Sequence, residues 1–275
     1  HLTEYFSGKS VKDLSLCRSD FADAYGIDLR LNTKAVEIDQ LHKTVTTSQG
    51  DVLSFDKLIL ATGSYAFVPP IPGNDRQNCF VYRTIEDLDA IRAASLNAKT
   101  GVVIGGGLLG LEAAKALRDL NLETHVVEFA PRLMAVQIDD LGGQILRSKI
   151  EDLGVKVHTQ KATSSIEDGD SAQHVMKFGD GSVLETDIIL FSAGIRPRDE
   201  LARQSGLLIG ERGGIIINDY CQTSHPDIYA IGECALWDNK IYGLVAPGYD
   251  MARIAAKHIL AEETHCFAGA DMSTK

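Results

Sequence analysis

Two stretches of this chain carry the same ordered pattern. A pattern copied within a chain limits its architecture more tightly than any single motif. Tyr25–Ser64 and Leu153–Ile195 align with Gly26 on Gly154 and Ile38 on Ile166, at one offset (154 − 26 and 166 − 38). Asp56 then falls on Asp187 and Gly63 on Gly194, three residues further out of step. Each copy predicts a short strand, then a β-meander, then a buried strand ending in a small-residue turn. The turns are ATG at Ala61–Gly63 and SAG at Ser192–Gly194. The GDGS run at Gly179–Ser182 is a hairpin signal inside the second meander. The match implies duplication, and so two related α/β domains. A βαβ unit, roughly Gly101–Leu153, precedes the second copy. The same offset puts its counterpart ahead of His1, so the first domain is expected to lack its opening βαβ unit.

The second-copy unit contains G-x-G-x-x-G as Gly105, Gly107 and Gly110. In a chain with 25 glycines the triplet alone says little, but its context adds weight. Val102–Ile104 reads as a strand, and the apolar residues from Leu108 to Leu120 recur at helical spacing. Thr124–Glu128 reads as the next strand, and Glu128 follows Gly110 at close to the roughly 20 residues a dinucleotide site requires. Gly105 permits the tight turn, Gly107 lets a pyrophosphate approach the backbone, and Gly110 lets helix and strand pack closely. Leu108 and Leu109 open the helix, whose free N–H groups face the phosphates. Glu128 can accept both ribose hydroxyls and would repel a 2′-phosphate, which favours NAD over NADP. Arg132, four residues on, pulls the other way. The bland alternatives are a glycine-rich turn that binds nothing and a solvated acid at a strand end.

Composition removes several classes. The chain is 44% hydrophobic and 24% charged, as in ordinary globular proteins. Its net charge of −11 repels phosphate backbones, so no nucleic-acid partner is expected. The longest apolar stretch, Gly101–Ala114, is broken by Glu112, so no membrane span is expected. Cys17, Cys79, Cys221, Cys234 and Cys266 form no C-x-x-C and no metal-ligand spacing. An odd number of thiols points to a reducing compartment, the cytoplasm. The eight histidines show no ligand spacing, so no metal site is expected.

These residues resemble the two-dinucleotide flavoproteins, the FAD- and NAD(P)H-dependent pyridine-nucleotide oxidoreductases. That family interleaves two Rossmann-like domains along the chain in the order FAD–NAD–FAD. Ala61, Thr62 and Gly63 resemble its turn beside the flavin nucleotide. RTIEDLDAI at Arg83–Ile91 resembles its crossover into the NAD domain, with Arg83 a flavin contact or a surface residue at a helix start. Gly194 resembles its nicotinamide-side turn. TSHPDIYAIGECA at Thr223–Ala235 resembles its second FAD motif, with Gly232 and Glu233 where most members have Asp at the second position. Glu233 reads as a ribityl contact or a cap-region acid. Glu112 reads as an acid near the flavin–nicotinamide contact or a first-turn acid facing the helix dipole. Pro247 reads as a flavin border or a helix-entry residue.

Three longer strings, Glu123–Gly143, Arg212–Ala235 and Tyr242–Ala252, resemble the branch of the family that feeds assimilatory nitrite reduction. The resemblance implies that NADH reduces FAD and that electrons pass on to 4Fe-4S and sirohaem centres. The cysteine clusters for those centres are absent here. They are expected in downstream redox domains of a parent chain, of which this would be an electron-input piece cut at both ends.

The expected fold is therefore α/β, two Rossmann-like dinucleotide-binding domains with β-meander insertions, the first incomplete. The expected segments are 1–88 and 193–275 for FAD and 89–192 for NAD. The expected partner is NAD(P)H, with a homo-oligomer left open and no side chain required as nucleophile or general base. Two other readings stay open: a reductase serving a separate ferredoxin or rubredoxin, and a non-catalytic NAD(H)-binding module.

Overall fold

The computed structural model describes residues 2–6 and 8–271. The chain divides into two compact units, each built from separate stretches. One holds the residues up to Arg18 together with Ala66–Gly194; the other holds Ser19–Tyr65 and the residues from Ile195 on.

The first unit is organised around five parallel strands. In chain order they and their helices are β1 (Cys79–Val81), α1 (Ile85–Ser95), β2 (Thr100–Ile104), α2 (Leu108–Asp119), β3 (Glu123–Val127), α3 (Asp140–Asp152) and β4 (Lys156–His158). A meander follows, β5 (Thr163–Asp168), β6 (His174–Phe178) and β7 (Val183–Thr186), and then β8 (Ile188–Phe191). The sheet order is β1-β8-β2-β3-β4. Period-two alternation sorts the side chains to its two faces. Ile188, Leu190, Val103 and Val126 pack in one core with Ala113, Ala116 and Leu117 of α2. Ile189, Phe191, Val102 and Val127 pack in another with Ile166, Met176 and Phe178 of the meander. Both faces are covered, which is why β8 and the Val102–Ile104 part of β2 read as unbroken apolar runs. Leu117 Cδ1 lies 2.9 Å from where a Cβ on Gly101 would sit, so helix and strand pack at glycine distance.

In the second unit the strands Ala35–Asp39, Thr44–Thr47 and Val52–Ser54 form an antiparallel meander. The strand Leu58–Leu60 pairs in parallel with Ile228–Ala230. Leu60, Ile228, Tyr229 and Ile38 share a core with Met251 and Ile254 of the helix Val245–Ile259.

The duplication is visible in detail. Both meanders slip register at the same place, between Ala35 and Glu37 and between Thr163 and Ser165, positions that correspond at the 128-residue offset (163 − 35). Ile38 and Ile166 are both buried, and Gly63 and Gly194 both have positive φ. One expected element does not form. The second copy opens on β4, but residues 27–31 of the first carry no strand. Strand β4 is laddered to β3, and among the described residues no strand lies beside 27–31.

The compact units also divide the chain differently from the expected segments. Residues 66–88 pack with the five-stranded unit rather than with 19–65. The physical reason is that β1 is an edge strand of that sheet, and Leu88 and Ile91 of α1 lie in its core. The segment near the start joins the same unit: Tyr5 donates its hydroxyl to Asp89 at 2.6 Å, and Arg92 lies over its ring at 4.5 Å.

Candidate functional site

The glycine triplet lies between β2 and α2, and each glycine is required for a different reason. Gly105 has φ +118°, and a Cβ there would sit 2.2 Å from the Ser192 carbonyl oxygen. A Cβ on Gly110 would sit 2.0 Å from the Gly105 carbonyl oxygen. Gly107 caps α2 with extended backbone and no side-chain cap, and nothing lies within 4 Å of its Cβ position. Two glycines allow close backbone packing, and the third leaves open space in front of the unpaired N–H groups at the helix start, Leu108 and Leu109 among them. A phosphate fits that space and those donors.

Glu128 follows β3 directly, and both of its carboxylate oxygens are held. Oε2 accepts the Gly106 N–H at 2.5 Å and Oε1 accepts the Ala130 N–H at 2.7 Å. The Glu128 N–H donates to the His158 carbonyl at 2.8 Å. The carboxylate is thereby fixed beside the glycine loop with lone pairs to spare for two hydroxyls. Arg132 faces elsewhere. It donates Nε to Ile138 O at 3.0 Å, Nη2 to Ala135 O at 3.2 Å and Nη1 to Asp140 at 2.7 Å.

Glu112 is the fifth residue of α2, in its second turn. It is therefore not the first-turn acid that its spacing suggested, because the helix starts at Leu108. It is half-buried, and burial raises its carboxyl pKa. Arg83 precedes the Thr84–Asp87 capping box of α1, its N–H donating to Asp87 at 3.1 Å. Gly194 closes the turn after β8 with φ +107° and open space at its Cβ position.

The remaining predicted residues gather within the second unit. The strand Leu58–Leu60 ends at Ala61–Gly63, where Thr62 donates its hydroxyl to Arg198 O at 2.6 Å. The Ile231 N–H donates to Leu60 O at 3.0 Å, which brings the Gly232–Cys234 turn alongside. Buried Ser64 donates to Glu233 at 2.8 Å. Gly232 has φ +73°, with no atom near its Cβ position. A Cβ on Gly248, one residue after buried Pro247, would sit 3.4 Å from the Gly232 Cα. Pro247 is the third residue of its helix, where no intrahelical donor is needed. Two open glycine turns, a held acid and a helix start make a cradle suited to a polar cofactor.

Sequence reasoning missed three features: the Gly106–Glu128 bond, the Ser64–Glu233 bond and the His125–His158 pair. The last two are hydroxyl and imidazole contacts with no fixed spacing. The histidine rings stack at 5.3 Å, with Nδ1 of His125 at 3.0 Å from Nε2 of His158. The GGG run was the available signal for the first, since Gly106 leaves room for the acid. Among the described residues no cluster of His, Cys, Asp and Glu could hold a metal ion, and no helix is long and apolar enough to cross a membrane.

A parallel sheet with a dinucleotide fingerprint, joined to a second unit of related plan, defines a pyridine-nucleotide oxidoreductase of the flavoprotein class. The chain belongs to the pyridine nucleotide-disulphide oxidoreductase family, whose model matches residues 8–258. It is 56% identical over 276 residues to the NADH nitrite reductase large subunit of Escherichia coli (strain K12). It is 59% identical over 275 residues to the NAD(P)H nitrite reductase large subunit of Klebsiella oxytoca. All of this chain is matched in both cases, but it spans only 32% and 28% of those relatives. Among solved structures, the ferredoxin reductase for the CYP199A2 system from Rhodopseudomonas palustris is similar with a TM-score of 0.90 and 27% identity. The match covers 98% of this chain and 67% of that one.

Proposed function

We propose that this chain is the electron-input part of an NADH-dependent nitrite-reducing enzyme, taking hydride from NADH onto FAD for passage to 4Fe-4S and sirohaem centres in further domains. Those centres would reduce nitrite to ammonium. The observation that carries the reading is the pairing of an open Gly107 turn with a carboxylate fixed beside it, Glu128. The names of the two bacterial relatives supply the nitrite and the NADH.

In this reading the first unit holds NADH. Gly105, Gly107 and Gly110 admit the pyrophosphate, the N–H groups of Leu108 and Leu109 bind it, and Glu128 accepts the adenosine ribose hydroxyls. Glu128 would repel a 2′-phosphate, and Arg132 is engaged elsewhere, so NADH is preferred to NADPH. Gly194 leaves room on the nicotinamide side. The second unit holds FAD through Ala61, Thr62, Gly63, Gly232, Glu233 and Pro247. Arg83 as a flavin contact and Glu112 near the nicotinamide rest on the family resemblance. Bound flavin would supply the change from a two-electron donor to one-electron acceptors. The residues of this chain orient the dinucleotides and exclude water; none need act as nucleophile or general base. The free thiols fit a cytoplasmic location.

The test is NADH-dependent reduction of ferricyanide by the chain with excess FAD, against FAD without protein. Turnover above the control with NADH and less with NADPH supports the reading. Tight NADH binding without turnover would instead identify a binding module. Ammonium formation from nitrite by the chain alone would contradict the division of labour, because no metal-ligand cluster is present among its described residues.

A further inference from the structure

The loop between β3 and α3 grips one glycine from both ends. Glu128 accepts the Gly106 N–H, and the Met134 N–H donates to the Gly106 carbonyl at 2.9 Å. Between these two anchors stands Arg132, a long cation rooted in the same short loop as the acid proposed to hold the ribose. Left free, a guanidinium there would be a ready partner for a phosphate beside that ribose. It is not left free. Its stem lies across α3, with Cδ 2.8 Å and Cβ 2.9 Å from where a Cβ on Gly143 would sit, so only glycine gives it that berth. Its head takes the Ile138 and Ala135 carbonyls and the Asp140 carboxylate. The first two are backbone groups that any sequence provides. Asp140 is the specific element: it is 83% exposed, the first residue of α3 after the Asp139 cap, and the guanidinium's one ionic partner among the described residues.

We propose that Asp140 is a specificity-determining residue for the nucleotide: by holding Arg132 on α3, it withholds that guanidinium from a 2′-phosphate and so disfavours NADPH. The inference rests on the proposed role of Glu128 at the adenosine ribose. Discrimination then has two layers. Glu128 repels the 2′-phosphate, and Asp140 withholds the cation that would attract it. Removing Glu128 alone yields a site of low selectivity, and removing both yields one that attracts the phosphate. Asp140 acts through Arg132 and does not touch the nucleotide.

The test is calorimetric titration of the whole chain with NADH and NADPH, and with 2′-phospho-AMP against AMP as minimal probes. The variants are Glu128→Ala, Glu128→Ala with Asp140→Ala, and that pair with Arg132→Ala added. The Asp140 substitution leaves the Asp139 cap in place and puts a good helix former at the first position of α3. Adding Asp140→Ala to Glu128→Ala should tighten NADPH and 2′-phospho-AMP about tenfold, the scale of one charge-assisted hydrogen bond. NADH and AMP should stay unchanged, and Arg132→Ala should abolish the gain. Gly143→Ala, which crowds the Arg132 stem without altering charge, should move NADPH in the same direction. If the NADPH to NADH ratio does not change, or if the gain survives loss of Arg132, the proposal is overturned while the ribose reading stands. If Glu128→Ala leaves NADH binding untouched, both fall.

Discussion

The two copies of the repeat differ most at their opening residues. Val155 and Val157 of the second copy are 4% and 6% exposed, and they flank or form β4. Their counterparts in the first copy, Ile27 and Leu29, are 46% and 60% exposed and form no strand. The residues are equally apolar, so composition does not separate them. What separates them is a neighbour. Strand β4 ladders to β3, with Val126 opposite Val157, and packs beneath α3. A strand without a partner leaves its N–H and C=O groups unpaired, and short single strands do not persist in water. Sequence marks a segment as able to be a buried strand, and the adjoining ladder decides whether it becomes one.

The two units should differ most at their glycine turns. Gly105→Ala in the first unit adds a clash with the Ser192 carbonyl to the strain of positive φ. It should cost about 4 kcal/mol or more. Gly63→Ala in the second unit has the strain without the clash and should cost about 1–2 kcal/mol. Denaturant unfolding followed by circular dichroism distinguishes them, and equal costs would show that close packing at Gly105 is not what demands glycine.

The opening segments give the next largest effect. Val157→Ala removes two buried methyl groups and should destabilise the first unit by about 2 kcal/mol. Leu29→Ala should stay within about 0.5 kcal/mol, as surface substitutions do. A large loss from Leu29→Ala would mean that its segment is packed in solution.

The smallest expected effect is the response to acid, and it should also be confined to one unit. Burial pushes the imidazoles of His125, His158 and His174, all in the first unit, below the ordinary histidine range. A group with a depressed folded pKa contributes stability above its unfolded pKa, about 6.5 for histidine. As the pH drops below that value, the unfolded chain takes up protons that the folded one refuses, and stability falls until the folded rings titrate as well. Unfolding midpoints of the first unit should therefore decline below about pH 6.5, and less steeply in His125→Gln. An increase in stability over that interval would reverse the sign of the argument.

Much of this was legible in the sequence. The repeat, the hairpin at Gly179–Ser182 and the fingerprint from Gly105 to Gly110 depend on local spacing, and spacing survives translation into structure. The partners of Glu128, the berth of Arg132 and the stacked histidines were not legible. Each depends on groups brought together from separate elements, such as Gly143 under Arg132 or β3 against β4. The extent of the compact units was not legible for the same reason: β1 joins a sheet whose other strands lie further along the chain. Glu112 was placed a turn too early although the helix start at Leu108 was legible: at about 3.6 residues per turn the fifth residue already lies in the second turn.

The dinucleotide is expected to bind at the open turn of the first unit, and Gly107 isolates that site from the packing around it. Its φ of −81° is ordinary, and no atom lies within 4 Å of its Cβ position, so Gly107→Val leaves the packing intact while filling the space assigned to the pyrophosphate. Calorimetric titration with NADH should give one site per chain for the unaltered protein. For Gly107→Val at an unchanged melting temperature, the loss should be about a hundredfold or more, the equivalent of about 2.7 kcal/mol. NADH binding to Gly107→Val as tight as to the unaltered chain would place the dinucleotide elsewhere.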